Sequence, residues 1–400
     1  MKILHVVRYS LMFALLCFVA LYYHPDIAGG NHAGEAVVNP LHNYVILLTF
    51  VVLSLTASMR QLFNHNFIKF WFFFVLLVLF QAIILFAFDL SSDYINDLLT
   101  VSMALSFLAI GYCLDLSKKE FAFLSAFYFV AISYCVFMQI ITFIGGFVIE
   151  DQYAVVAKNS LGVILASSFI GCVSIALSKD IHENAVFRIF LCMIAFFLLA
   201  LLLTIRARTS TLSIFIFLIY YYFRTHSLRN LNLARVFILL LPIIILGLLV
   251  LNTSLGEFVY NSFMQNRDSD VTSDRGNRNF QALSVIISDP LFGNLTVRKE
   301  MEWVHNYFLR IWSDYGLFFG STLLILYTYI VVYLMKKWKR INVKSFANIG
   351  YLVVMAPMFS SLAEPTFPYG PGTVVLYSFI ALGYSMNHEN KICSYSTLSK

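Results

Sequence analysis

Apolar residues in this chain fall into runs separated by short polar intervals, and one long polar interval breaks that rhythm. Runs close to the roughly 17 to 25 residues needed to cross about 30 Å of hydrocarbon occur at 6 to 23, 41 to 57, 68 to 88, 98 to 114, 121 to 148, 160 to 178, 187 to 204, 210 to 223, 236 to 252, 316 to 335, 346 to 363 and 372 to 387. They predict an all-α, polytopic integral membrane protein of about twelve transmembrane helices, with residues 1 to 400 forming one domain. The exception is 253 to 315, a long loop carrying Arg267, Arg275, Arg278, Arg298, His305, Asn306 and Arg310. Within it Phe280, Leu283 and Ile287 keep helical spacing, Pro290 ends the segment, and Leu291-Phe292-Gly293 reads as a turn. This predicts a short amphipathic helix. A second helical stretch from Trp303 to Tyr315 leads into the tenth span, with Arg310 four residues before Asp314 and neutralised by it.

Composition excludes a soluble domain: 60% of residues are hydrophobic, 12% are charged, and mean hydropathy is +0.80. Six cysteines include no C-x-x-C pair and five lie in apolar runs, so they read as core residues without disulfides or metal. Lys2, Arg8 and the apolar stretch to Tyr23 read as a retained first helix, because further spans follow. With the N-terminus inside, 18 of the 27 Lys and Arg fall in cytoplasmic segments, including the cluster from Lys336 to Lys344. The remaining nine are Lys158, Arg206, Arg208 and six in the long interval. This is the positive-inside bias, and it turns the 253 to 315 loop outward with both termini inside. No repeat or low-complexity linker interrupts the spans.

On this threading the sixth and eighth spans start at the outer surface, where helix N-termini present unpaired N–H groups and a positive dipole end. The sixth opens Lys158-Asn159-Ser160-Leu161-Gly162, with Asn159 as a cap, and the eighth opens Arg206-Ala207-Arg208-Thr209-Ser210. These cations either anchor helix ends by reaching toward water or bind an anion. Arg206 and Arg208 favour the second reading, since two arginines between apolar runs on the side poor in positive charge are costly to place. Arg275 and Arg278, three apart, would share one face of a helix starting there; the other reading is a solvated loop face balanced by Asp268, Asp270 and Asp274. His305 is either an interfacial histidine or a titrating group, and Glu364 lies at the outer end of the eleventh span. Asp268-Ser269-Asp270 matches the D-x-D of metal-dependent nucleotide-sugar transferases, but three residues are a weak match and nucleotide sugars belong inside the cell.

Taken in order, these pieces resemble the O-antigen polymerase and O-antigen ligase superfamily of bacterial envelope glycan enzymes, over roughly residues 155 to 370. Lys158-Asn159-Ser160-Leu161-Gly162 is similar to the family's K-N-x-x-G, and Thr204 to Ser210 to its T-x-S-R-x segment. Arg275, Ala282-Leu283 and Pro290-Leu291-Phe292-Gly293 resemble its R, a-l and P-l-f-G. His305-Asn306-Tyr307-Phe308-Leu309 and Asp314-Tyr315-Gly316-Leu317 resemble H-N-x-x-L and e-x-G-l. The chain departs from the pattern where Arg206 and Arg208 compete for one arginine position, where Arg278 competes with Arg275, and where Asp314 replaces the usual glutamate.

The resemblance implies an inner-membrane enzyme, active on the periplasmic face, that transfers glycan from an undecaprenyl-pyrophosphate donor to a sugar hydroxyl without metal, cofactor or nucleic acid. Arg208 and Arg275 then hold the pyrophosphate, supported by Arg206, Arg278 and Lys158, because guanidinium forks pair with phosphate oxygens and stay charged. His305 takes the acceptor proton, or Glu364 does so while His305 orients the acceptor; Asn159 and Asn306 are supporting. A Wzy-type polymerase of a surface polysaccharide, working with membrane lipid and a chain-length regulator, leads. The alternatives are a ligase passing finished glycan to lipid A core and a flippase for lipid-linked sugars.

Overall fold

The structure, a computed structural model, describes residues 2–24, 40–90, 93–144, 158–181, 185–205, 207–225, 275–298, 304, 306–362 and 375–398. Among these residues every regular element is a helix, so the chain is an all-α membrane protein. Eleven of the twelve sequence-predicted spans fall on helices; the ninth, 236 to 252, lies outside the described residues. In chain order they are α1 (Lys2–Leu21), α2 (Pro40–Thr56), the short α3 (Met59–Leu62), α4 (Asn66–Ala87), α5 (Asp93–Cys113), α6 (Lys118–Ile144), α7 (Lys158–Ala176), α8 (Ala185–Thr204) and α9 (Arg208–Thr225). After these come α10 (Arg275–Ser288), the short α11 (Asn294–Val297), α12 (Tyr307–Trp338), α13 (Ile349–Val353), α14 (Met355–Ser360) and α15 (Leu376–Leu398). Among the described residues five segments, in α4, α5, α6, α8 and α12, are long and apolar enough to cross a membrane by themselves.

Burial separates helices that face lipid from those that form the core. Phe73, Phe80, Ile83 and Phe86 on α4, and Val186, Ile189, Met193 and Phe196 on α8, are exposed apolar stripes at helical spacing, which a water-soluble protein would not tolerate. Cys192 belongs to the exposed side of α8, unlike the buried Cys113, Cys135 and Cys172. By contrast every residue of α5 from Met103 to Cys113 is buried. Hydrophobicity alone does not draw helices together in lipid, so close backbone approach must. Gly111 on α5 abuts Ile380, Gly383 on α15 abuts Leu108, and Gly350 on α13 abuts Ala381, each so closely that a Cβ would overlap backbone. The eleventh predicted span is broken into α13 and α14 at Val354. Pro357 accounts for this, since it lacks an N–H and its ring collides with the carbonyl four residues earlier.

Opposite ends of the bundle differ in character. At one end, which carries most of the lysines and is called the basic end below, short connections clasp one another. His5 Nε2 meets Glu120 Oε1 at 3.0 Å, Arg8 donates to the Leu55 carbonyl, Lys118 pairs with Asp180 at 3.2 Å, and Tyr220 and Arg224 of α9 donate to the Trp338 and Ile341 carbonyls at 2.7 and 2.8 Å. Each pair joins segments that the threading puts on one side. The other end gathers the N-termini of α7, α9 and α12.

Candidate functional site

The N-terminal quarter of α12 is shaped by a break in its own backbone. Gly316 sits at φ 64°, ψ −175° within the helix, so the amides that follow lose their partners one turn back. The turn after α10 replaces them: Leu317 N–H donates to the Pro290 carbonyl and Phe318 N–H to the Leu291 carbonyl, both at 2.9 Å. Gly293, also at positive φ (59°), lies against the Ser313 carbonyl and the Gly316 amide, and a Cβ at Gly316 would overlap the Leu291 carbonyl. Asp289 ties the turn internally. Its carboxylate accepts from Thr296 Oγ1 at 2.6 Å and from the Phe292 and Leu291 amides at 3.0 and 3.1 Å, and these donors hold its pKa below the usual aspartate value. The Pro-Leu-Phe-Gly and Asp-Tyr-Gly-Leu pieces of the sequence are thus two halves of one junction.

Behind the junction lies a buried charge network. Arg310 pairs with Asp314 at 3.4 Å, as the i,i+4 spacing predicts, and also with Asp97 on α5 at 3.4 Å. Tyr315 Oη donates to Asp97 Oδ2 at 2.6 Å, the shortest bond of the group. Beside it Tyr94 Oη reaches Gln81 Oε1 at 2.6 Å and the Phe319 carbonyl at 2.9 Å, while its ring meets Tyr315 edge-on. Side-chain exposure is 16% for Arg310 and 7% for Asp97, so the pair is desolvated and depends on its mutual contacts. Asp97 lies in the second turn of α5 and Arg310 in the first turn of α12, which places the network at the helix ends.

Sequence reasoning missed Asp97, Tyr94, Tyr315 and Gln81. A carboxylate heading an apolar run with no nearby cation was the available signal for Asp97.

The other sequence-predicted residues fall around this core. Gly162 in the second turn of α7 packs against Ala207 and Ser210 at the start of α9, so closely that a Cβ would displace them. This sets the Lys158-Asn159 backbone beside the Arg208 turn. Ser210 is buried and the Thr211 hydroxyl donates to the Ala207 carbonyl at 3.0 Å. Asn306 caps α12: its Oδ1 accepts from the Leu309 amide at 3.1 Å, and its Nδ2 approaches the Leu362 carbonyl at 3.5 Å, just after α14. Arg278 lies on α10, which packs against α12. Helix α14 contacts both α7 and α9 and, through Leu362, Asn306, so it bridges the two groups. Arg275 starts α10; for it, Lys158 and Asn159 the backbone is what is described. Arg206, His305 and Glu364 lie outside the described residues.

An apolar groove of about 520 Å³ opens on the outer face of α12, running from Phe308 and Leu317 past Ser321 and Ile325 to Val332. From Leu317 to Val332 it follows roughly 22 Å of helix at 1.5 Å per residue. Neither a protein-family model nor a curated protein sequence matches the chain.

Proposed function

We propose that the chain is a bacterial inner-membrane glycosyltransferase, a Wzy-type polymerase of a surface polysaccharide. It has about twelve spans and cytoplasmic termini, and the 253 to 315 loop faces the periplasm. The observation that supports this reading is the meeting of motif pieces far apart in sequence: Gly162 on Ala207 and Ser210, Pro290 and Leu291 on the break at Gly316, and Asn306 on Leu362, two residues before Glu364. Pieces with no common role have no reason to gather at one end of a bundle.

In the proposed reaction an acceptor hydroxyl attacks the anomeric carbon of the donor sugar, and the bond to the pyrophosphate oxygen breaks. Undecaprenyl pyrophosphate leaves. Arg208 and Arg275 meet the charge growing on the pyrophosphate, with Arg206, Arg278 and Lys158 in support. His305 accepts the hydroxyl proton, and Glu364 is the competing base. The groove along α12 suits the polyprenyl chain, because it is apolar, opens sideways and begins at the motif end.

Purified protein given lipid-linked repeat units alone should yield a ladder of glycan lengths, and the ladder should persist with a chelator present. His305→Ala and Arg275→Ala, inserted normally, should each lose on the order of 10²-fold or more in rate. Product that forms only after lipid A core is added identifies a ligase, and lipid-linked sugar crossing vesicles with no new bond identifies a flippase. Full-length glycan from both variants overturns the site.

A further inference from the structure

Helix α10 has three faces rather than two. At about 100° per residue, Ala282, Val285 and Ile286 point one way and are buried against the protein. Asn277, Gln281, Ser284 and Ser288 form a second face, exposed and polar. Phe280, Leu283 and Ile287 form a third, exposed and apolar, with Phe280 at 72% and Ile287 at 79%. A helix surrounded by water has no use for separate exposed faces of opposite polarity, whereas one lying along a bilayer surface needs both.

We infer that α10 lies in the plane of the membrane, with the Phe280, Leu283 and Ile287 stripe sunk into the headgroup and upper acyl region of one leaflet. Continuity identifies the occupant as lipid. The stripe runs on through the exposed Leu291 to Leu317 and Phe318, which belong to the exposed apolar side of α12, a helix long and apolar enough to span the bilayer. The two surfaces are fixed to each other by the Leu317 and Phe318 amides bonding the Pro290 and Leu291 carbonyls, and by Trp312 Nε1 donating to the Pro290 carbonyl at 3.3 Å. No described residue covers the stripe. The long polar interval is therefore not a freely hydrated domain throughout, since α10 is held at the depth of lipid phosphates. Leu317, whose amide bonds the turn after α10, also lines the groove on α12.

The test is photo-crosslinking in the full chain, reconstituted in nanodiscs of phosphatidylethanolamine and phosphatidylglycerol, with benzoylphenylalanine placed singly at 280, 287 or 281. All three positions are exposed, so the larger side chain meets no described neighbour. Mass spectrometry should find about tenfold more phospholipid adduct at 280 and 287 than at 281. Equal adduct yields at the three positions overturn the inference. So do crosslinks from 280 and 287 into another part of the chain or into a second copy, because those would mean that protein covers the stripe.

Discussion

At the motif end Arg310 is enclosed between Asp97 and Asp314, while at the basic end Lys118 meets Asp180 with 44% and 28% of their side chains open to solvent. Both are ion pairs between helical segments distant in the chain. They differ in what surrounds them. The basic-end pair is hydrated, and Asp180 also accepts from the Phe346 amide, so either side chain can find water if the other is lost. Arg310 and Asp97 have no such outlet, and a charge stranded there is uncompensated. The comparison teaches that the pair where the motif pieces meet depends on its partners, whereas the Lys118–Asp180 clasp at the opposite end is replaceable.

Removing the arginine is the strongest way to break that contrast. Arg310→Met leaves the Asp97 carboxylate buried with the Tyr315 hydroxyl as its partner among the described side chains, and the expected loss is about 3–5 kcal/mol. Lys118→Met should cost no more than about 1 kcal/mol. Unfolding of both variants in nanodiscs measures the difference, and the double variant Asp97→Asn with Arg310→Met should recover much of the loss. Equal losses at the two ends would dissolve the distinction. Next in size is Gly316→Ala, which adds a Cβ against the Leu291 carbonyl at a positive φ and should cost about 2–3 kcal/mol. Because it pries the α10 turn from α12, the proposed glycan synthesis should fall with it even where the protein still inserts. Full synthesis from Gly316→Ala would show that the junction has no bearing on the site.

A third effect belongs to the basic end and is driven by pH. His65 precedes α4, with Tyr112 and Tyr333 edge-on to its ring, and its buried Nδ1 finds no hydrogen-bond partner among the described residues. Burial first, and then the Lys337 charge, lower its pKa to about 4, with Glu389 opposing. The neutral ring is the folded form, so its contribution is fully present above the ordinary histidine value near 6.5. It is lost as pH falls toward 4, by up to roughly 3 kcal/mol. His65→Gln should flatten stability between those limits, and an unchanged slope would remove His65 as its cause.

How far the sequence revealed this arrangement depended on distance along the chain. Helix positions follow from apolar run length, and the Arg310–Asp314 pair from a spacing of four, because both signals are local. The end of α10 before Pro290 was visible for the same reason. Asp97 lies 213 residues from Arg310, and no periodicity connects them; it stood just before a predicted span and read as loop. The pairing of Pro290 with Leu317 was half legible. Both pieces stood out as motif, but only the positive φ of Gly316 explains why a turn with exposed carbonyls must lie beside it. The break at Val354 was signalled by Pro357, yet the apolar run around it masked the signal.

The smallest expected effect tests how replaceable the basic end is. Burial by itself would raise the Asp180 carboxyl, but the hydrogen bond and charge of Lys118, and donors from Ser345 and the Phe346 amide at 3.1 Å, bring its pKa below the ordinary aspartate value. A depressed carboxylate stabilises the fold above its unfolded pKa and ceases to do so as pH falls through the folded one. Asp180 therefore adds stability at neutral pH that disappears only in acid, below the range where His65 acts. Asp180→Asn keeps a side-chain acceptor for the Ser345 hydroxyl and the Phe346 amide while removing the charge facing Lys118. The expected cost at neutral pH is about 0.5–1 kcal/mol, shrinking in high salt because the pair is partly hydrated. A loss comparable to that of Arg310→Met, unaffected by salt, would mean that the loop from Lys339 to Phe346 is held as rigidly as the motif end, and that the two ends do not divide the labour of the fold.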